Sequence, residues 1–251
     1  MLTISSTMTK VFFIIILTLV FSGCGSTDAT TQSSSPETNN QAVSAKEQQR
    51  KAKQHILDYA KSDADYYALV AKFEREEAQA SDFDDILRIY PLTKKYSPYG
   101  NVEQAQKLVA FASIEEQNWE ACLQSTELIL EQNYTSITGH YGAMICYFES
   151  GQQENGEYHN VILDGFMDAI WRSGDGSTPA TAFYITSTND LYAFVQLNGM
   201  IAIGQSLVYF EQRPMNAIKV EDPQTKQESI WYFDVTAQFR RGIFDDIESR
   251  R

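Results

Sequence analysis

The interval at which apolar residues recur changes once along this chain, near Gly174, and that change limits the folds open to it. Before it, large apolar side chains return every three or four residues, the spacing of one helix face. After it, short runs rich in aromatic and β-branched residues stand between turn residues, the pattern of strands. Helices first and strands afterwards describe an α+β chain rather than an alternating one with a parallel sheet.

The helical half divides at its breakers. Lys46 to Gln79 is predicted helical, with Ile56, Tyr59, Tyr66, Leu69, Val70 and Phe73 on one face; Ser62 and Asp63 are expected to split it in two and cap the second part. Ser81 with Asp84 resembles a capping box before Ile86, Leu87 and Tyr90, and Pro91 ends that helix. After the aromatic loop Tyr96–Gly100, Asn101 is the expected cap of a helix that buries Ala105, Leu108, Val109 and Ala112. Three more helices follow: Trp119 to Gln132, burying Trp119, Leu123 and Leu130; Thr135 or Ser136 to Glu149, burying Ile137, Tyr141, Met144, Ile145 and Phe148; and Glu154 to Trp171, burying Tyr158, Ile162, Phe166 and Ile170. Short links make neighbouring helices antiparallel, so residues 102–171 read as tetratricopeptide-like hairpins, although the consensus positions of that repeat are poorly matched.

Beyond Gly174 the expected strands are Ala182–Thr186, Ser206–Gln212, Asn216–Val220 and Ser229–Val235, with a short helix at Asp190–Leu197 and a hairpin turn at Pro223–Lys226. The expected fold is therefore N-terminal helical hairpins followed by a small antiparallel sheet with one helix.

The N-terminus carries an address. Lys10 is the sole charge before the apolar run Val11–Phe21, which as a helix is about 16 Å long at ~1.5 Å per residue. A bilayer core is roughly 30 Å thick, so the run fits the apolar region of a secretory signal better than a membrane span. Val20-Phe21-Ser22-Gly23-Cys24 resembles the lipobox of bacterial lipoproteins, with Phe21 bulkier than the usual aliphatic residue. The resemblance implies that Cys24 becomes the lipidated first residue of the mature protein, anchored by two or more acyl chains. An ordinary signal cut nearby, leaving Cys24 a thiol, is the competing reading. Gly25, rather than Asp, after the cysteine points to the periplasmic face of the outer membrane if the host is Gram-negative. Residues 24–49 lack aromatic residues and almost all large aliphatic ones, so they read as a flexible linker. The expected organisation is a signal at 1–23, a linker at 24–49 and a globular domain at 50–251, with a helical part to 172 and an α+β part from 173.

Charge removes one class of partner. Lys and Arg number 20 against 33 Asp and Glu, a net charge of −13, and no basic stripe occurs, so nucleic acid is not an expected partner. The expected partners are the membrane, through the lipid on Cys24, and another envelope protein. No P-loop, dinucleotide fingerprint, zinc cysteine cluster, EF-hand loop or Gly-x-Ser-x-Gly occurs. No cofactor is expected, and the sequence favours a binding protein over an enzyme.

A few residues remain as candidate chemistry. His140 and His159 lie on successive predicted helices and, with Asp175, make up a two-histidine, one-carboxylate set suited to a metal or ligand. The alternative is that both histidines pack with their nitrogens bonded to backbone or Tyr. Asp175 sits in Ser173-Gly174-Asp175-Gly176, where Gly174 is expected to take a left-handed position ending the helix and Asp175 to form an Asx turn. Cys122 and Cys146 are equidistant from Tyr134, in the turn between two antiparallel helices, which sets them at one height. They are either bridged, as an exported protein permits, or separately packed in a small-residue stripe with Gly139 and Gly142.

Several short motifs occur together: Leu87-Arg88-Ile89-Tyr90 with Tyr96-Ser97-Pro98-Tyr99, Asn133-Tyr134 before His140, Tyr158-His159, Ser173–Gly176 leading into Thr181-Ala182-Phe183, and Tyr232-Phe233-Asp234. In these the folded region resembles a bacterial family classed as a domain of unknown function and found on exported proteins, often lipoproteins. The resemblance implies no activity. The functional expectation is a membrane-anchored envelope lipoprotein acting as a protein or peptide interaction module; the alternative is a small-molecule or glycan binder, or an envelope hydrolase, with its site near Asp175.

Overall fold

The computed structural model describes residues 59–241. The expected signal, Cys24, the expected linker, residues 50–58 of the predicted first helix and the chain after 241 lie outside the described residues.

Seven helices and a four-stranded sheet follow one another in the described residues: α1 (Tyr59–Glu74), α2 (Ala80–Ile89), α3 (Asn101–Glu115), α4 (Trp119–Gln132), α5 (Ile137–Glu149), α6 (Gln153–Ser173), β1 (Phe183–Tyr184), α7 (Thr188–Leu197), β2 (Ile201–Phe210), β3 (Arg213–Glu221) and β4 (Glu228–Asp234). A further helical segment occupies residues 236–241. The α+β order is the one read from the sequence. Among the described residues no helix is long and apolar enough to cross a membrane.

α1 is continuous through Ser62 and Asp63, contrary to the expected break. The Asp63 carboxylate accepts from the Lys94 N–H, 31 residues away, so it is not available to cap its own helix. The start of α2 also differs. Asp82, not Asp84, closes the box: it accepts from the Gln79 N–H at 2.6 Å and pairs with Lys72 of α1. Asp84 instead meets Arg172 near the end of α6, and the same guanidinium donates to the Ala80 carbonyl. α2 is thus held to both neighbours by its first turn.

α3 reverses the expected face. It begins with Gly100 in the cap position, and Leu108 is 63 % exposed with Val102 and Val109 also outside. Glu103, Ala110 and Ser113 are the buried positions, because Glu103 accepts from Ser136 Oγ at the start of α5 and Ala110 packs on Cys122 and Cys146. α4 is rotated too: Cys122, Ser125, Thr126 and Ile129 are buried rather than Trp119, Leu123 and Leu130. α5 buries Ile137 and His140 together with its small residues Gly139, Gly142, Ala143 and Cys146, whereas Tyr141 and Met144 are half-buried. Small faces let α3, α4 and α5 approach closely; a Cβ on Gly142 would lie 2.8 Å from Thr126 Cγ2.

The strand order is β1-β4-β3-β2. β2, β3 and β4 are antiparallel, and the two-residue β1 joins the edge parallel to β4. The β2–β3 hairpin turns on Glu211 and Gln212 with φ of 49° and 64°, the left-handed pair of a type I′ turn. Neither residue carries the Asn-Gly signal of such turns, so no local feature stops the strand that the sequence predicts over Ser206–Gln212. Gly174 is extended, not left-handed; it is confined by space, since a Cβ there would lie 2.3 Å from the Thr181 carbonyl oxygen.

One core joins helices and sheet. Tyr66, Phe73, Phe83 and Phe166 of the helical part belong to the same buried cluster as Phe183, Phe194, Ile218 and Phe233.

Candidate functional site

A cleft of about 590 Å³ opens between α1, α4, α5 and α6. Tyr66, Tyr67, Val70 and Glu74 come from α1, Leu123, Thr126, Glu127 and Leu130 from α4, Tyr147 from α5, and Tyr158 and His159 from α6; Tyr134 and Lys95 enter from loops. Helical periodicity explains the supply. Positions 66, 67, 70 and 74 of α1, and 123, 126, 127 and 130 of α4, repeat at three and four residues, so each helix offers one stripe.

Tyr134 organises the floor. Its N–H donates to Tyr66 Oη at 2.9 Å, its hydroxyl lies 2.6 Å from that of Tyr158, and its carbonyl lies 2.7 Å from His140 Nε2. A carbonyl can only accept, so His140 Nε2 carries the proton. Burial pushes the His140 imidazole down to about 3, with the neighbouring His159 adding to the shift. It is therefore neutral at pH 7, and its Nδ1 is a lone pair. That lone pair faces His159 Nδ1 at 2.9 Å, so His159 Nδ1 must be the donor and His159 Nε2 the bare nitrogen. Burial likewise lowers His159, to about 4. Among the described residues His159 Nε2 meets no hydrogen-bond partner, and the His159 side chain lines the cleft. Tyr147 stacks on this imidazole with planes 10° apart. The phenols of Tyr66, Tyr134 and Tyr158 are all raised, chiefly by burial, and stay protonated.

Charge is confined to the rim. Glu74, Glu127 and Glu131 stand against the single cation Lys95. The Lys95 ammonium donates to the Glu131 carbonyl and lies 5.2 Å from the ring centres of both Tyr66 and Tyr67.

The structure brings His140 and His159 together and leaves Asp175 apart. His159 is in the second turn of α6 and Asp175 lies beyond its last residue, about 20 Å along the axis at ~1.5 Å per residue. Asp175 accepts from Ser177 and Thr181 in an exposed turn, and these bonds hold its carboxyl down at about 2. The expected three-residue set is therefore not assembled. Among the described residues no group of three His, Cys, Asp or Glu is placed to hold a metal ion. Cys122 and Cys146 are bridged, with Cα atoms 6.2 Å apart, and tie α4 to α5, two walls of the cleft.

The sequence reading missed Tyr66, Tyr67, Lys95 and Tyr147. Abundant tyrosine, 14 residues, was the available signal, but nothing local separates a cleft tyrosine from a core one. Of the motifs that carried the family resemblance, Tyr134, His140 and Tyr158-His159 converge at the cleft floor, while the Asn133 side chain accepts from Thr135 instead.

No curated protein and no solved structure matches the sequence. A family model described as a domain of unknown function (DUF4919) matches residues 50–241. The last of these, Arg241, donates to Tyr59 Oη on α1 and to the carbonyls of Thr93 and Lys94, closing the end of the matched region onto its first described helix. The chain belongs to the DUF4919 family of domains of unknown function.

Proposed function

We propose that this chain is a lipoprotein held in the bacterial cell envelope by Cys24, whose helical hairpins take a segment of another envelope protein into the tyrosine cleft. The observation that carries the reading is the cleft itself: ring faces from α1, α5 and α6 surround one space with a neutral imidazole at its floor. Tyrosine offers a large contact area with few rotatable bonds and a polar tip, which suits adaptable recognition of a peptide. The anchor and the linker at 24–49 keep such a module near envelope partners while leaving it free to reorient.

The test is in-cell cross-linking in the native host, with a photoreactive amino acid placed at Tyr67 or at Glu127 on the rim, and in a control at Lys219 on the sheet. The expected result is one reproducible envelope protein captured from both cleft positions, absent from the control and lost in Tyr147→Ala. Identical captures from all three positions would remove the cleft from the function. Cys24→Ser is expected to move the protein out of the membrane fraction.

A small-molecule or glycan ligand is the second reading. The cleft volume favours it, since about 590 Å³ falls within the usual range for small-ligand sites of about 300–1,000 Å³. Asp175 sits in an exposed turn, so this reading moves from there to the tyrosine cleft.

A further inference from the structure

The geometry points to a cationic side chain, the guanidinium of Arg or the ammonium of Lys on a basic peptide segment, as the group the tyrosine cleft receives. This rests on the peptide-binding reading of the same cleft and adds the chemistry of what enters it.

Three independent features of the cleft favour a cation. The first is already occupied: Lys95 places its own ammonium 5.2 Å from the ring centres of Tyr66 and Tyr67, within the ~6 Å over which a ring face attracts a cation. The cleft thus shows the interaction with an internal group, while the ring of Tyr147, which also lines it, stacks on His159. The second is the charge of the rim. Glu74, Glu127 and Glu131 outnumber Lys95, whose ammonium is committed to the Glu131 carbonyl. The Glu74 charge reaches the floor, where it helps to raise both Tyr134 and Tyr158. An entering anion would meet uncompensated carboxylates; an entering cation meets its complement. The third is the tautomer relay from the Tyr134 carbonyl through His140 to His159. Each nitrogen in that chain is fixed by the one before it, and it ends on the bare Nε2 of His159, a residue that lines the cleft. A bare nitrogen accepts a hydrogen bond and donates none, so the floor asks for a hydrogen-bond donor, which an ammonium or a guanidinium supplies. Arginine satisfies all three features at once, because its planar guanidinium stacks on rings and donates in several directions.

The test uses the full chain in nonionic detergent micelles. It is mixed with a synthetic library of fully randomised ten-residue peptides, and the retained peptides are sequenced by mass spectrometry. The expected result is a several-fold enrichment of Arg or Lys at one position of the retained set. Remaking a retained peptide with citrulline in place of that Arg is expected to weaken binding at least tenfold. The enrichment is expected to fall in the double variant Glu74→Gln and Glu127→Gln, whose exposed rim positions leave the core untouched, and in His159→Phe, checked for folding by its thermal melt. A retained set without basic enrichment overturns the inference and leaves the peptide-binding reading standing. Basic enrichment indifferent to all of these substitutions places the cation elsewhere on the acidic surface and also overturns it. Equal retention by the wild type and by Tyr67→Ala with Tyr147→Ala overturns both.

Discussion

At the scale of single residues, two buried clusters bracket the start of α5 and titrate with opposite sign. Asp190 accepts from the Ile137 N–H and from Ser187 Oγ. Its carboxyl is pushed up to about 8, first by burial and then by the charge of Glu103. An acid raised on folding lends stability that is complete below its unfolded pKa, about 3.9, and lost as the pH climbs through the folded value. The histidines work the other way. Lowered to about 3 and about 4, they lend stability that is complete above roughly 6.5 and lost as the pH falls through those values. Asp190→Asn keeps an acceptor and removes the first effect. Urea unfolding at several pH values is expected to show the free-energy gap between wild type and variant moving against the wild type from pH 4 to pH 8. A gap that does not change with pH would show that Asp190 titrates alike in the folded and unfolded chain.

At the scale of elements, α3 is where sequence pattern and structure part. Its most apolar stripe points outward, and its buried stripe is Glu103, Ala110 and Ser113. Leu108→Gln is therefore expected to change stability by no more than about 0.5 kcal/mol, as for an ordinary surface site. Ala110→Leu is expected to cost about 1–3 kcal/mol, because it overfills the contact with the Cys122–Cys146 bridge. Paired thermal melts check both, and a large loss at Leu108 would return the apolar stripe to the core. The bridge closes a short loop around the α4–α5 turn and contributes about 3 kcal/mol in the chain-entropy view. It thereby keeps two walls of the cleft in register.

At the scale of the whole molecule, the helical part and the sheet share a core. Trp171 of α6 packs against Phe183 and Trp231 of the sheet, and Arg241 returns to α1. Unfolding of the described region is expected to be one cooperative transition, with tryptophan fluorescence and far-ultraviolet dichroism coinciding; separated curves would mean two cores. The sequence alone determined the order of elements and nearly all helix positions, because hydrophobic period, caps and breakers act over a few residues. It also carried the level placement of Cys122 and Cys146, a consequence of hairpin symmetry. The grouping of Asp175 with the two histidines is the one the structure undoes, since His159 lies in the second turn of α6 and Asp175 beyond its end. Tertiary structure alone decided which face of α3 and α4 turns inward, because buried partners such as Ser136 for Glu103 come from distant segments and override the local apolar stripe. It alone assembled the cleft, since Tyr66, Lys95, Tyr147 and His159 meet only through packing between helices far apart in the chain, and no local pattern encodes that contact.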